Sequence, residues 1–261
     1  MTARKRSGKM EILGIKRGRI KFGLKLWSTN SNLLNKAKIL IENDNLQYIE
    51  LTPIPNTEIV PFLAYDLPYI IHITTEGHGL NIADKEKKEF NLKTINNCIE
   101  WADKLNAKYL ILHPGFGLID NAIEFLSDIN DRRILIENMP KIGLNDEKMI
   151  GYTPQQIKEL RDNKFSFCLD LNHAMKAAVS LNENYKGFIS EFLKLKPKMF
   201  HISDGKLNNE KDEHLNIGEG DYDFEFLMRC IKENESKYVT LETPRNSDSF
   251  DNDRNNLEKL I

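Results

Sequence analysis

The sequence contains no uninterrupted apolar stretch of about 18 residues, the length a membrane-crossing helix needs, so no membrane span is expected. Its opening MTARKRSGKMEILG lacks the apolar core and cleavage site of a secretory signal. Cysteine is scarce: Cys98, Cys168 and Cys230 are isolated and odd in number. That argues against a disulfide framework and a thiolate metal site, and fits a reducing, cytoplasmic setting. Gly/Ser linkers, internal repeats and low-complexity segments are also missing, so nothing divides the 261 residues.

Charge is nearly balanced overall, at −2, but not along the chain. Residues 1–21 hold Arg4, Lys5, Arg6, Lys9, Lys16, Arg17, Arg19 and Lys21 against Glu11 alone, a local +7 that leaves −9 for the rest. Residues 1–20 are therefore read as a basic N-terminal extension and residues 21–261 as one domain. Two readings of the extension stand: a solvated terminal tail, or a contact to phosphate backbone.

What the chain does have is alternation. Apolar runs read as strands at KFGLKLW (21–27), LQYIELT (46–52), LPYIIHIT (67–74), AKYLILH (107–113), RRILIEN (132–138), FSFCLDL (165–171), PKMFHIS (197–203) and SKYVTLET (236–243). Stretches with helical spacing separate them. One covers 31–43, with Asn30 or Ser31 as cap. Another covers about 84–106, with Phe90, Ile95, Ile99 and Leu105 on its inner face. A third starts at Thr153 with Pro154 in its first turn. Near-continuous apolar strands joined by crossovers of a dozen residues or more pair in parallel. Only the connection after strand two reads as short and Pro-punctuated. Eight such units in a chain of this length predict an α/β fold, a (β/α)8 TIM barrel.

Candidate chemistry gathers at or just past the C-terminal ends of these runs, where such a barrel builds its active site. His72, His113, Glu137, Asp170, His173, His201, Asp212, His214 and Glu242 all fall there. Six of the eight strand ends carry a ligand type, and strands one and two do not. Singly each residue is a weak signal, because a lone histidine at a strand end is more often a hydrogen-bonded structural residue. Glu137 is stronger: a carboxylate that ends an apolar strand is costly unless paired. Jointly, nine imidazoles and carboxylates at one mouth would repel unless cations held them. Nitrogen and oxygen donors without thiolate suit zinc, with manganese or iron as further options.

The fragments HPG (113–115), IEN (136–138), CLDLNHA (168–174), HISD (201–204), DEHLNIGEG (212–220) and LETP (241–244) make the chain resemble the endonuclease IV and AP endonuclease family 2 branch of the xylose-isomerase-like TIM-barrel superfamily. The resemblance runs from about residue 67 to 244. It implies three zinc ions with nine ligands. His72 and His113 would hold the first, and Glu137 would bridge it to a second completed by Asp170, His201 and Glu242. His173, Asp212 and His214 would hold the third. The sugar isomerases of the superfamily resemble a one-metal pattern made of Glu137, Asp170, His201 and Glu242 alone. Near the N-terminus the resemblance fails. The long DNA-entering loop of endonuclease IV is replaced by TPIPNTEIVP, with one acid and no base, and the first strand reads GLKLWSTN.

These readings give Glu137 and Glu242 as catalytic candidates. Lys25, if it faces into the barrel, and Arg245, in the loop after strand eight, are candidates for substrate phosphate or sugar oxygen. Asp204 is read as a possible partner that orients a ligand, and His78 as a surface-loop residue near the mouth. Two enzymes are expected in order: a zinc-dependent phosphodiester hydrolase acting on abasic-site DNA, then a metal-dependent isomerase or epimerase acting on a sugar or phosphorylated sugar. A non-catalytic metal store would not explain so many ligands in an open mouth.

Overall fold

A computed structural model describes residues 19–43, 45–245 and 249–261. The basic extension read for residues 1–20 therefore falls, through residue 18, outside the described residues. Eight strands pair in parallel in chain order, and the first closes on the last. They are β1 Lys21–Trp27, β2 Tyr48–Thr52, β3 Tyr69–His72, β4 Leu110–Leu112, β5 Ile134–Glu137, β6 Ser166–Asp170, β7 Met199–Ile202 and β8 Tyr238–Leu241. This is the parallel eight-stranded barrel that the alternation predicts. The ladders are shorter than the apolar runs that announced them. His113 and Glu242, for example, lie one residue beyond β4 and β8, where the chain leaves the sheet.

Nine helices among the described residues surround the barrel: α1 Leu34–Glu42, α2 Val60–Leu63, α3 Lys88–Lys104, α4 Ile119–Ser127, α5 Pro154–Arg161, α6 Leu171–Leu181, α7 Tyr185–Leu193, α8 Phe224–Glu233 and α9 Asp251–Glu258. Three local expectations change. A 3-10 turn at Ser28–Leu33 precedes α1, and Asn30 accepts from the Trp27 amide at 3.0 Å instead of capping that helix. The connection after β2 holds the short α2. Phe90 lies 45% exposed; its neighbour Asn91 takes the inner position, because its amide donates to the Asn81 carbonyl at 2.7 Å. No described helix is long and apolar enough to cross a membrane.

Inside the barrel, side chains alternate with the two-residue period of a strand. Tyr48, Ile70, Ile111, Leu135, Cys168 and Met199 form a separate buried cluster within the barrel. The Tyr48 ring fills the space beside Gly23, where a side chain would strike it. Its hydroxyl meets Thr240 Oγ1 at 2.9 Å. Two residues further along every strand, toward the mouth, the layer turns polar: Lys25, Glu50, His72, His113, Glu137, Asp170, His201 and Glu242. One apolar layer thus supports one layer of ionisable groups.

Candidate metal centre

The mouth layer brings together six of the sequence-derived ligand residues, and His173, Asp212 and His214 stand beside them. Asp170 ends β6 and caps α6, its Oδ1 accepting from the His173 amide at 2.7 Å. The two candidates therefore share one helical turn. Asn138, just past β5, grips the Asp170 backbone with both amide atoms, each at 2.8 Å. After β7, Asp204 accepts from the amides of Gly205, Gly218 and Gly220 at 2.8–2.9 Å. That staples the segment carrying Asp212 and His214. Asp204 therefore acts on the ligands through the loop that carries Asp212 and His214, with both of its oxygens taken by backbone amides.

Hydrogen bonds choose which nitrogen of each ring faces the cluster. The Nδ1 of His72 lies 2.8 Å from the Ile73 carbonyl, which leaves Nε2 facing Glu137 Oε2 at 3.4 Å. The Nδ1 of His113 meets Glu76 at 3.1 Å, which leaves Nε2 3.3 Å from that same Glu137 oxygen. The Nδ1 of His173 meets the Asn138 carbonyl at 2.9 Å, which leaves Nε2 3.6 Å from Asp212 Oδ2. His201 is turned the other way. Its Nε2 meets Glu50 at 3.0 Å, and its Nδ1 faces Glu137 Oε1 at 3.0 Å, Glu242 Oε1 at 3.5 Å and Asp170 Oδ2 at 3.9 Å. Such outer partners fix the tautomer and direction of a metal-binding imidazole.

Among the described residues, five groups have donor atoms within 4.8 Å of one another. Three are the sets the resemblance implies: His72, His113 and Glu137; Glu137, Asp170, His201 and Glu242; and His173, Asp212 and His214. The other two, Glu50 with His72, His201 and Glu242, and Glu137 with Cys168 and His201, overlap them. Tetrahedral zinc with bonds of about 2.0–2.2 Å sets its donors about 3.3–3.6 Å apart. The first group's separations of 3.3 and 3.4 Å match that edge. Glu137 belongs to two groups through different oxygens. Its Oε2 is buried and has no hydrogen-bond donor, though two imidazole nitrogens point at it. A buried carboxylate oxygen facing two imidazole nitrogens is satisfied by a proton on a ring or by a cation between them, and the donor set fits divalent ions.

Protons compete with cations for the same atoms. Burial alone would lower the His113 imidazole, but Glu76 and Glu137 lift it to about 10. His214, also opposed by burial, is drawn up to about 9 by Asp212. Burial would raise Glu137, yet His201 and His113 hold it well below the usual carboxylate range. Asp170 goes the other way. Burial, with Glu137 and Glu242 adding to it, outweighs His173 and pushes it up to about 6.

Lys25 faces inward, with Nζ 2.6 Å from Glu50 and 2.5 Å from Glu242. Burial opposes its charge, but the two carboxylates raise its pKa above the ordinary lysine value. Arg245 pairs with Asp253 at 2.8 Å, donates to the Lys25 carbonyl at 2.8 Å and lies over the Phe250 ring. Both border a cavity of about 460 Å³ above the polar layer, as does the exposed His78. Trp27, Leu80, Phe116, Met139, Leu144 and Met149 give the cavity apolar walls.

Sequence reasoning missed Glu50, Glu76 and Asn172. Glu50 carried a usable signal, a carboxylate inside the apolar run YIELT, the same oddity that marked Glu137. Glu76 and Asn172 stand in a loop and at a helix start, where polar residues are ordinary.

The family described as xylose isomerase-like TIM barrel matches residues 45–260. A probable endonuclease 4 of Mycoplasmopsis synoviae is 31% identical over 210 residues, covering 72% of this chain and 74% of that protein. An uncharacterized protein of Methanocaldococcus jannaschii is 28% identical over 258 residues, covering 89% and 95%. Among solved structures, endonuclease IV from Thermus thermophilus superposes with a TM-score of 0.70 at 20% identity, covering 92% of this chain and 97% of that one. A D-tagatose 3-epimerase-like protein gives 0.71 at 22%, covering 92% and 98%. The last two likenesses concern the fold.

Proposed function

The chain belongs to the xylose isomerase-like TIM-barrel family, and on that footing we propose that it is a zinc-dependent phosphodiester hydrolase of the endonuclease IV kind, cleaving DNA at abasic sites. The third donor group carries this reading. His173, Asp212 and His214 converge beside the four-residue group that a one-metal isomerase would use, and that chemistry leaves them without a task. The proteins named endonuclease 4 among its relatives support it. The three free, buried cysteines suit a cytoplasmic setting.

Three divalent ions would supply charge neutralisation for a phosphodiester, a water of lowered pKa and a counter-charge for the departing oxygen. The protein's part is to hold donors in place. Glu137 offers one oxygen to each of two positions. Glu242 keeps Oε1 against Lys25 and turns Oε2 toward His214, 3.7 Å away. Lys25 stays protonated between its two carboxylates, so it serves as a fixed positive charge at the cavity floor and not as a base. Glu76 holds His113 in the tautomer whose Nε2 is free.

A second reading is a metal-dependent isomerase or epimerase of a sugar or phosphorylated sugar. The cavity favours it: about 460 Å³ suits a small molecule, and the connection after β2 offers no base to DNA. One experiment divides the two. Purified protein should nick a duplex containing a single abasic site, lose that activity to a chelator and regain it with zinc. Exchange of a carbon-bound sugar proton with deuterated solvent, without nicking, would reject the hydrolase in favour of the isomerase.

A further inference from the structure

We propose that Tyr222 and Asn172 form a positioning relay that aims Asp212 at the third metal position, and that Gly205 is glycine to let the relay pass. The inference rests on the three-ion reading of the site. The Tyr222 hydroxyl donates to Asn172 Oδ1 at 2.5 Å. The Asn172 amide nitrogen donates to Asp212 Oδ1. Asp212 is left with Oδ2 turned to its own group, 3.0 Å from His214 Nε2 and 3.6 Å from His173 Nε2.

The relay has a direction. The Asp212 carboxylate only accepts, so the Asn172 NH2 must face it; the reverse orientation would set two acceptors against each other. That leaves the Asn172 carbonyl oxygen toward Tyr222, whose phenol must donate to it. Oδ1 is thereby engaged, and Asp212 presents a single oxygen to an ion. Outer-layer partners of this type set a ligand's angle and basicity.

Packing alone does not account for these residues. Asn172 is fully buried and Tyr222 nearly so. Leucine and phenylalanine would fill the same space without burying polar atoms. Gly205 supplies an independent observation. A Cβ there would lie 2.5 Å from the Tyr222 hydroxyl oxygen and 3.1 Å from Asn172 Oδ1, so any side chain displaces both relay members. Asn172 also precedes His173 on α6. One helical turn thus supplies a ligand of the third group and the support for another.

The test counts zinc per chain at a series of buffered free-zinc concentrations, in the wild type and in Tyr222→Phe, Asn172→Leu and Gly205→Ala. Thermal unfolding of each protein in chelator reports whether the variant is folded. Wild type should bind three ions. In Tyr222→Phe and Asn172→Leu one ion, that of the third position, should bind about 10- to 100-fold less tightly, while the other two keep their affinities. Gly205→Ala should reproduce that loss with all three ligands and both relay residues still present. Three ions bound with unchanged affinity in folded Tyr222→Phe and Asn172→Leu would overturn the relay and leave the three-ion reading standing. Fewer than three ions in the wild type would overturn the three-ion reading, and the relay with it.

Discussion

Oε2 of Glu50 lies 3.0 Å from Nε2 of His201, so the free face of that imidazole is decided by a residue three strands away round the barrel. Glu50 also takes hydrogen bonds from Lys25 and Thr240, each at 2.6 Å. It is the one carboxylate of the mouth layer outside the three proposed ligand sets, although it lies close enough to His72, His201 and Glu242 to share an ion with them. Removing it should leave His201 free to turn. Glu50→Leu is expected to weaken metal binding at the Glu137, Asp170, His201 and Glu242 group by about 10- to 100-fold. Glu50→Gln, which keeps an acceptor, should lose less. Calorimetric titration with zinc measures both, and equal affinity in all three proteins would make Glu50 a packing residue.

Glu137 should behave differently, because its two oxygens serve two groups. Glu137→Gln preserves shape and removes the charge. At least one ion should be lost, and abasic-site cleavage should fall by more than the roughly 10- to 100-fold typical of an outer partner. Elemental analysis beside a cleavage assay tests this. A variant with full metal content and full activity would contradict the bridging role.

The pH dependence has a definite sign. In chelator, His113 and His214 have folded values of about 10 and about 9, above the ordinary 6.5. The stability they contribute is complete below about pH 6.5 and is lost as pH rises through 9 to 10. Asp170, raised from 3.8 to about 6, contributes below its ordinary value and loses that contribution as pH rises through 6. Glu242 is opposite in sign. Burial opposes the shift, but His201 and Lys25 lower it to about 2, so its contribution is lost only as pH falls toward that value. The melting temperature of chelated protein should therefore drop steadily from pH 6 to pH 10. With zinc the same ligands give up protons to bind metal, so the gap between loaded and chelated midpoints should widen over that range. Scanning calorimetry at several pH values would show it; a gap that narrows with rising pH would count against these ligands.

Gly23→Ala separates fold from site. The added methyl would collide with the Tyr48 ring, which is fully buried. Overpacking of this sort costs about 1–3 kcal/mol. Denaturant unfolding should register that loss while the zinc count is unchanged. An unaltered midpoint would mean that the Tyr48 ring yields without strain.

The barrel was legible because its cause is local. Eight apolar runs with crossovers between them admit few other arrangements, and the C-terminal ends of parallel strands converge by topology. The ligand types at those ends could be seen one strand at a time. Glu76 and Asn172 could not, because their meaning comes from a partner far along the chain: His113 is 37 residues from Glu76, and Asp212 is 40 from Asn172. Phe90 failed for a related reason. Helical spacing allowed it an inner position, and only the Asn81 carbonyl, invisible in the pattern, gave that position to Asn91. Arg245 was placed correctly by its loop, but its claim by Asp253 depends on α9 packing back against the barrel.

Lys25 has a consequence for the order of events in the life of the molecule. An ammonium group is a cation that the chain carries from synthesis, and here it neutralises Glu50 and Glu242 at the moment the first and last strands meet. The barrel is therefore expected to close without a metal, unlike small zinc modules that are unfolded until the ion arrives. Under the proposed function, folding and metallation would be separate steps, with the ions entering afterwards through the open mouth. On the proposed reading, the metal then reflects what the surroundings supply when loading takes place, and exchange of one ion for another is expected to leave the fold intact.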